Sequence, residues 1–310
     1  MGQRKDRDQR DHGRDQPRFD RRDFLKLAGL GGVVVVSGCA STMLPGAPAG
    51  DAGFHFVQLS DTHWGFEGPA INPDAKGTLK KAVAAVNSMA QQPDFVMFTG
   101  DLTHTTDDPK ERRLRLAQFK DIVGELKVKN VRFMPGEHDA ALDNAKAYIE
   151  LFGPTHYTFD HKGVHFIVVD NVSDPGAAIG DEQLQWLRAD LDKQRRDARI
   201  VVFTHRPLFD LYPQWDWATK DGKRAIDLLQ THDNVTVFYG HIHQENHFMT
   251  GNIAHHSAKS LIFPLPVAAS QPRRAPVPWD ASAPYKGLGF RDAETKASTG
   301  KLTLTEYGVA

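Results

Sequence analysis

Short clusters of acidic and imidazole side chains recur along this chain, and apolar runs of strand length lead into them. Asp61-Thr62-His63 follows Phe54–Ser60, Asp101 follows Phe95–Phe98, His205 follows Ile200–Phe203, and His241-Ile242-His243 follows Val235–Tyr239. Glu137-His138-Asp139 follows Val131–Met134 after Pro135-Gly136. Between these runs lie stretches with helical periodicity: 76–91, with Leu79, Ala82, Val83 and Val86 on one face, then 109–127, 181–196 and 221–231. Strand alternating with helix predicts parallel sheet, and a parallel sheet places its ligands beyond the carboxyl ends of its strands. Tyr157–Phe159 and Val164–Val169 read as a hairpin, Ser260–Pro284 as an irregular proline-rich segment, and Gly287–Tyr307 as a closing hairpin. The expected fold is α/β, a four-layer α/β/β/α sandwich of two packed mixed sheets flanked by helices. The main domain is expected over 53–262, completed by 263–310.

Composition limits the chemistry. The chain has 310 residues and a net charge of −1, so it carries no general attraction for polyanions, and no nucleic-acid binding is expected. Its single cysteine, Cys39, excludes a disulfide framework and a cysteine-rich zinc site. A metal here must be held by imidazole and carboxylate.

The first 26 residues are strongly charged, with basic residues in excess, and end in Arg21-Arg22-Asp23-Phe24-Leu25-Lys26. The uncharged run Leu27–Gly38 is too short to span a bilayer, which takes roughly 20 apolar residues, but it suits a signal-peptide core. Residues 1–39 therefore resemble a twin-arginine export signal. Val36-Ser37-Gly38-Cys39 resembles a lipoprotein cleavage box, with Cys39 as the lipidation site. Residues 40–52, rich in Ala, Gly and Pro, read as a flexible linker. The expected partners are the twin-arginine machinery and a membrane reached through the lipid anchor; the expected location is the periplasm or cell envelope.

Phosphoester oxygens repel an incoming nucleophile. Two metal ions a few Å apart activate water, neutralise those oxygens and orient the ester. The clusters supply what such a pair needs, and the ordered motifs resemble the calcineurin-like metallophosphoesterases: Asp-x-His, Gly-Asp, Gly-Asn-His-Asp/Glu, a lone His, and Gly-His-x-His. His205-Arg206-Pro207 is further similar to the branch that includes cyclic-nucleotide phosphodiesterases. The resemblance implies two divalent or trivalent ions (Mn, Fe or Zn). Asp61, His63 and His243 would hold the first, Asp101 would bridge, and Glu137, His205 and His241 would hold the second. It also implies a hydroxide between the metals as nucleophile and His138 as the acid for the leaving group, with Asp139 able to orient His138. The expected activity is hydrolysis of a small phosphoester, a diester in preference to a monoester, nucleotide-like esters included. The alternatives are a phosphomonoesterase and a non-catalytic metal-binding protein.

Glu137 departs from the family pattern, which has asparagine there. A glutamate keeps an oxygen donor, loses the amide and adds a negative charge. It either ligates and tightens the second metal, swings away, or disables the site. His104, Trp64 and Arg206 are expected to reach substrate, with Phe66 lining the same cleft. The aromatic stretch 208–217 reads either as a platform for a nucleobase or as a hydrophobic cap. His255-His256 read as outer partners of the site at most.

Overall fold

The computed structural model describes residues 53–295 and 301–309; the segments expected to be an export signal and a linker, with Cys39, lie outside them. Strands β1 (His55–Leu59), β2 (Phe95–Thr99) and β3 (Val131–Met134) run parallel. They share a five-stranded sheet with β10 (Gly289–Thr295) and β11 (Leu302–Gly308), in the order β11-β10-β1-β2-β3. The second sheet has six strands, β4 (Tyr157–His161), β5 (Val164–Val168), β6 (Arg199–Phe203), β7 (Asn234–Tyr239), β8 (Asn246–Thr250) and β9 (Ile253–Ser257), in the order β4-β5-β6-β7-β9-β8. The hairpin pairs Tyr157 with Val168 and closes on β5, and β5, β6 and β7 run parallel.

Central strands such as β1, β2 and β5 are buried on both faces, and strand alternation decides which side chain goes where. In β1, Phe56 points between the sheets while Val57 and Leu59 point at helices. Phe56 stacks on Phe95 at 4.9 Å and meets Phe166, Phe203 and Phe238 of the other sheet edge-on. The outer face of the first sheet packs on helices Thr78–Asn87 and Pro109–Val123 through Leu79, Val83, Phe119 and Ile122. The outer face of the second packs on helices Asp181–Leu191 and Gly222–Leu229 through Leu184, Leu187, Ile226 and Leu229. The four layers are therefore those expected from the sequence. Asp108 caps the helix Pro109–Val123, its carboxylate accepting from the amides of Lys110 and Glu111. Among the described residues no helix is long and apolar enough to cross a membrane.

Two buried polar groups join the sheets. The amide of Gln58 donates to the carbonyl oxygen of Tyr239 at 3.1 Å, and Arg291 donates to the carbonyl of Ser257 at 2.7 Å while pairing with Glu306. Parallel register puts the carboxyl ends of β1, β2 and β3 at one edge of their sheet, and those of β6 and β7 at one edge of theirs.

Candidate metal centre

The chain bends sharply as it leaves these strand ends. Asp61, His63, Asp101, His241 and His243 all have positive φ, between 40° and 65°. Left-handed backbone at a non-glycine residue costs roughly 1–3 kcal/mol and persists only where surrounding structure enforces it. Its clustering at five residues of one edge marks a functional site. Close approach explains two glycines. A Cβ at Gly136 would sit 2.1 Å from Asp101 Oδ1, and one at Gly100, whose φ is +93°, would sit 2.4 Å from His205 Nδ1.

The turns bring the acidic and imidazole groups together. Asp61, His63, Asp101 and His243 offer ligand atoms within 4.8 Å of one another, and Glu137, His205 and His241 form a second such group. Asp101 lies between them. Its Oδ2 is 3.4 Å from His63 Nε2 and 3.4 Å from His205 Nε2, while its Oδ1 accepts from the His138 amide at 3.0 Å. Asp61 is held by the Ser60 hydroxyl at 2.6 Å and by the His241 amide at 3.1 Å. Burial works to raise its pKa, but the charge of His243 and its hydrogen bonds outweigh burial and the pKa is lowered.

Imidazole tautomers follow from the hydrogen bonds. His205 Nδ1 donates to the Thr99 carbonyl at 2.7 Å, and His243 Nδ1 donates to the Phe263 carbonyl at 2.8 Å. In the neutral ring each Nε2 is then a bare lone pair. Yet His205 Nε2 faces carboxylate oxygens of Asp101 and Glu137, and His243 Nε2 lies 3.2 Å from His63 Nε2 and 3.4 Å from Asp61 Oδ1. Acceptors turned on acceptors need a proton or a metal ion among them. Burial opposes protonation of His205, yet Asp101 and Glu137 raise its pKa well above the usual value. Burial would likewise raise the Glu137 pKa, but His241 and His205 drive it well below. His205 Nε2 and Glu137 Oε2 are 2.8 Å apart, yet both are buried atoms without a properly aligned hydrogen-bond partner. Both groups of residues thus fit a metal ion, and the donor set is one that Zn, Mn or Fe accepts.

Glu137 stays in the site. Its Oε1 is 2.7 Å from His241 Nδ1 and its Oε2 faces His205, so the carboxylate does not swing away.

His138 is wired in the opposite sense. Its Nδ1 accepts from the Thr105 amide at 3.2 Å and meets the Thr105 hydroxyl at 2.5 Å. The neutral ring therefore carries its proton on Nε2, which lies 4.0 Å from Asp101 Oδ2. The expectation that Asp139 orients His138 is corrected here. Asp139 is buried and turned away, accepting from the amides of Gly136, Leu102 and Thr103 and from the Thr103 hydroxyl. Burial and the charge of Asp101 push its pKa up to about 6 against the pull of those donors. It anchors the turn that carries His138, and Thr105 sets the ring.

The expected substrate residues separate. His104 stays at the site, its Nδ1 3.3 Å from His63 Nδ1 and its ring stacked on His138 at 5.1 Å. Burial lowers its pKa to about 4, helped by His138 and Arg115, so the ring is neutral. Trp64 turns away and donates Nε1 to Gln118 at 2.8 Å. Arg206 is buried and tied to the 216–218 loop, donating Nε to the Ala218 carbonyl at 2.8 Å and pairing with Asp216 at 2.9 Å. Its nearest approach to the centre is 3.9 Å, from Nη1 to Glu137 Oε1. Neither lines the cleft, so the expected substrate contact is corrected for both. The stretch 208–217 is the hydrophobic cap: Leu208, Phe209, Trp215 and Trp217 are core residues of the second sheet. His255 bonds Thr250, and His256 meets His247 at 2.7 Å, both remote from the cleft.

The cleft over the centre has a volume of about 150 Å³ and is lined by His63, Asp101, Glu137, His138, His241, His243, Phe263, Leu265, Arg274 and Pro276. A larger apolar cavity of about 310 Å³, lined by Ile71, Pro264, Trp279 and Tyr285, has no such cluster of titratable groups. The chemistry therefore belongs to the smaller opening. Sequence reasoning missed Phe263, Leu265, Arg274 and Pro276; of these Arg274, in the proline-rich segment, is the charged one.

Comparison with known proteins agrees with this geometry. A probable cyclic nucleotide phosphodiesterase of Rhodococcus erythropolis is 29% identical over 204 residues, which span 61% of this chain and 65% of the relative. The 3',5'-cyclic adenosine monophosphate phosphodiesterase CpdA of Pseudomonas aeruginosa is 30% identical over 209 residues, 64% of this chain and 72% of that protein. Among solved structures, a dimetal phosphatase from Danio rerio superposes with a TM-score of 0.55 at 15% identity, covering 83% of this chain and 96% of the other, a likeness of fold. Residues 54–245 match the model of the calcineurin-like phosphoesterases, and the chain belongs to that family.

Proposed function

We propose that this protein is a metal-dependent phosphoester hydrolase that acts on small phosphodiesters in preference to monoesters. One observation carries the reading: two groups of ligand atoms share the edge of the sandwich, with Asp101 Oδ2 3.4 Å from an imidazole nitrogen of each. In this reading Asp61, His63 and His243 hold one ion, Glu137, His205 and His241 hold the other, and Asp101 joins them. Bound metal ions would activate water and neutralise phosphoryl charge. In the acid step His138 acts as the imidazolium, with Nδ1–H on the Thr105 hydroxyl; it gives the Nε2 proton, presented beside Asp101, to the departing alkoxide and is left as the neutral ring. Thr105 holds the ring in that orientation.

Support for a diester comes from Glu137. An extra carboxylate beside the phosphoryl group disfavours a dianionic monoester more than a monoanionic diester. The two bacterial relatives, both named as cyclic-nucleotide phosphodiesterases, point the same way. Glu137→Asn removes that charge and restores an amide. The variant is expected to raise kcat/KM for p-nitrophenyl phosphate relative to bis-p-nitrophenyl phosphate by about 10-fold, the effect of roughly 1.4 kcal/mol. An unchanged ratio between the two substrates counts against the charge argument. Absence of turnover of either substrate by the metal-loaded wild type, with activity gained in the variant, marks Glu137 as disabling.

Export through the twin-arginine route, with Cys39 lipidated, is part of the same proposal and rests on the sequence of residues 1–39. That route carries folded proteins, which suits a centre assembled with its metal.

A further inference from the structure

Arg274 belongs to none of the motifs, yet its guanidinium reaches the metal centre. Nη1 lies 3.4 Å from His241 Nε2, and the residue lines the cleft with Leu265, Phe263 and Pro276. The segment that carries it is tethered. Gln244, next to His243, donates to the carbonyls of Leu265, at 3.1 Å, and Pro266. The Val277 amide donates to the Pro264 carbonyl at 2.9 Å, and the Trp279 amide to the Ala70 carbonyl at 3.0 Å. These bonds close 264–277 into a loop, and Pro266, Pro272 and Pro276 restrict its backbone. The arginine is thus presented at the mouth by an anchored loop.

Its charge is uncommitted. Among the described residues no carboxylate pairs with Arg274, whereas Arg206 is engaged with Asp216 and the Ala218 carbonyl. A guanidinium carries its charge at any working pH and offers paired N–H donors that match two phosphoryl oxygens. Arg274 faces the same opening as Glu137, the carboxylate that would repel an anionic substrate.

The contact with His241 has a further consequence. Arg274 can only donate, so His241 Nε2 accepts, and the ring's proton sits on Nδ1, 2.7 Å from Glu137 Oε1. If His241 gives Nδ1 to a metal, its neutral ring must carry the proton on Nε2, which then cannot accept from Arg274. A metal held in that way would leave the guanidinium without its acceptor, facing the cleft.

We infer that Arg274 binds the phosphoryl anion of the substrate and offsets the charge of Glu137, a specificity residue supplied by the proline-rich loop. The inference rests on the phosphoesterase reading. It is tested on metal-loaded wild type, Arg274→Ala and Arg274→Lys by three measurements: KM and kcat for bis-p-nitrophenyl phosphate, the Kd of inorganic phosphate, and metal content. Loss of one charge-assisted contact predicts that Arg274→Ala raises KM and the phosphate Kd about 10- to 100-fold. Metal content should stay unchanged, kcat should move less than KM, and lysine should restore part of the loss. Unchanged KM and phosphate Kd overturn the inference. So does loss of metal from Arg274→Ala, which makes the residue a prop for His241. A wild type that binds metal and hydrolyses no phosphoester removes the phosphoesterase reading, and this inference with it.

Discussion

Replacing His138 with alanine is expected to lower kcat for a phosphodiester by about 10²- to 10⁴-fold, the usual contribution of a positioned acid or base. Metal content should not change. The separation follows from the wiring of the imidazoles. His205 and His243 give their Nδ1 protons to backbone carbonyls and turn bare Nε2 atoms to the centre. His138 accepts at Nδ1 from Thr105 and turns a protonated Nε2 to the same place. One residue type thus serves as ligand or acid according to what its far nitrogen meets. The variant should lose more rate on esters with poor leaving groups than on p-nitrophenyl esters, because a poor leaving group needs the proton more. Kinetics on an alkyl and an aryl ester, with metal analysis of the same sample, check this. An equal loss on both esters, or a loss of metal, contradicts the role.

Asp101→Asn should be the more damaging change, because it touches both groups of ligands at once. Asparagine tolerates left-handed backbone, so the turn at φ 48° survives. The amide can still offer its oxygen to the His138 amide, where Oδ1 accepts now. What is lost is the charge that would join two bound ions. Several kcal/mol of charge stabilisation rests on such a pair, and each 1.36 kcal/mol is tenfold in rate. A drop in kcat/KM of about 10³-fold or more is therefore expected, together with incomplete metal loading by elemental analysis. A variant that keeps both ions and its activity would mean that Asp101 does not bridge.

Much of the site was legible in the sequence because strand and site share one signal. Apolar runs such as Phe95–Phe98 and Val235–Tyr239 end where polar side chains must emerge, and parallel pairing brings those ends together. The glycines before Asp101, Glu137 and His241 mark the close approaches. What misled was adjacency. Asp139 follows His138 directly, but neighbours on a helical turn point about 100° apart; the group that sets the His138 ring is Thr105, 33 residues away. Arg274 gave no motif at all, since a loop is placed by bonds such as that from Gln244 to Leu265, which no periodicity reveals. Trp64 and Arg206 sit beside ligands in sequence, and both spend their polar groups on neighbouring protein instead.

The most direct test combines metal analysis of the purified protein with turnover of bis-p-nitrophenyl phosphate before and after chelation. Two ions per chain, turnover abolished by the chelator and recovered on adding Mn, Fe or Zn, is the predicted result. Full metal loading without turnover of any phosphoester would contradict it.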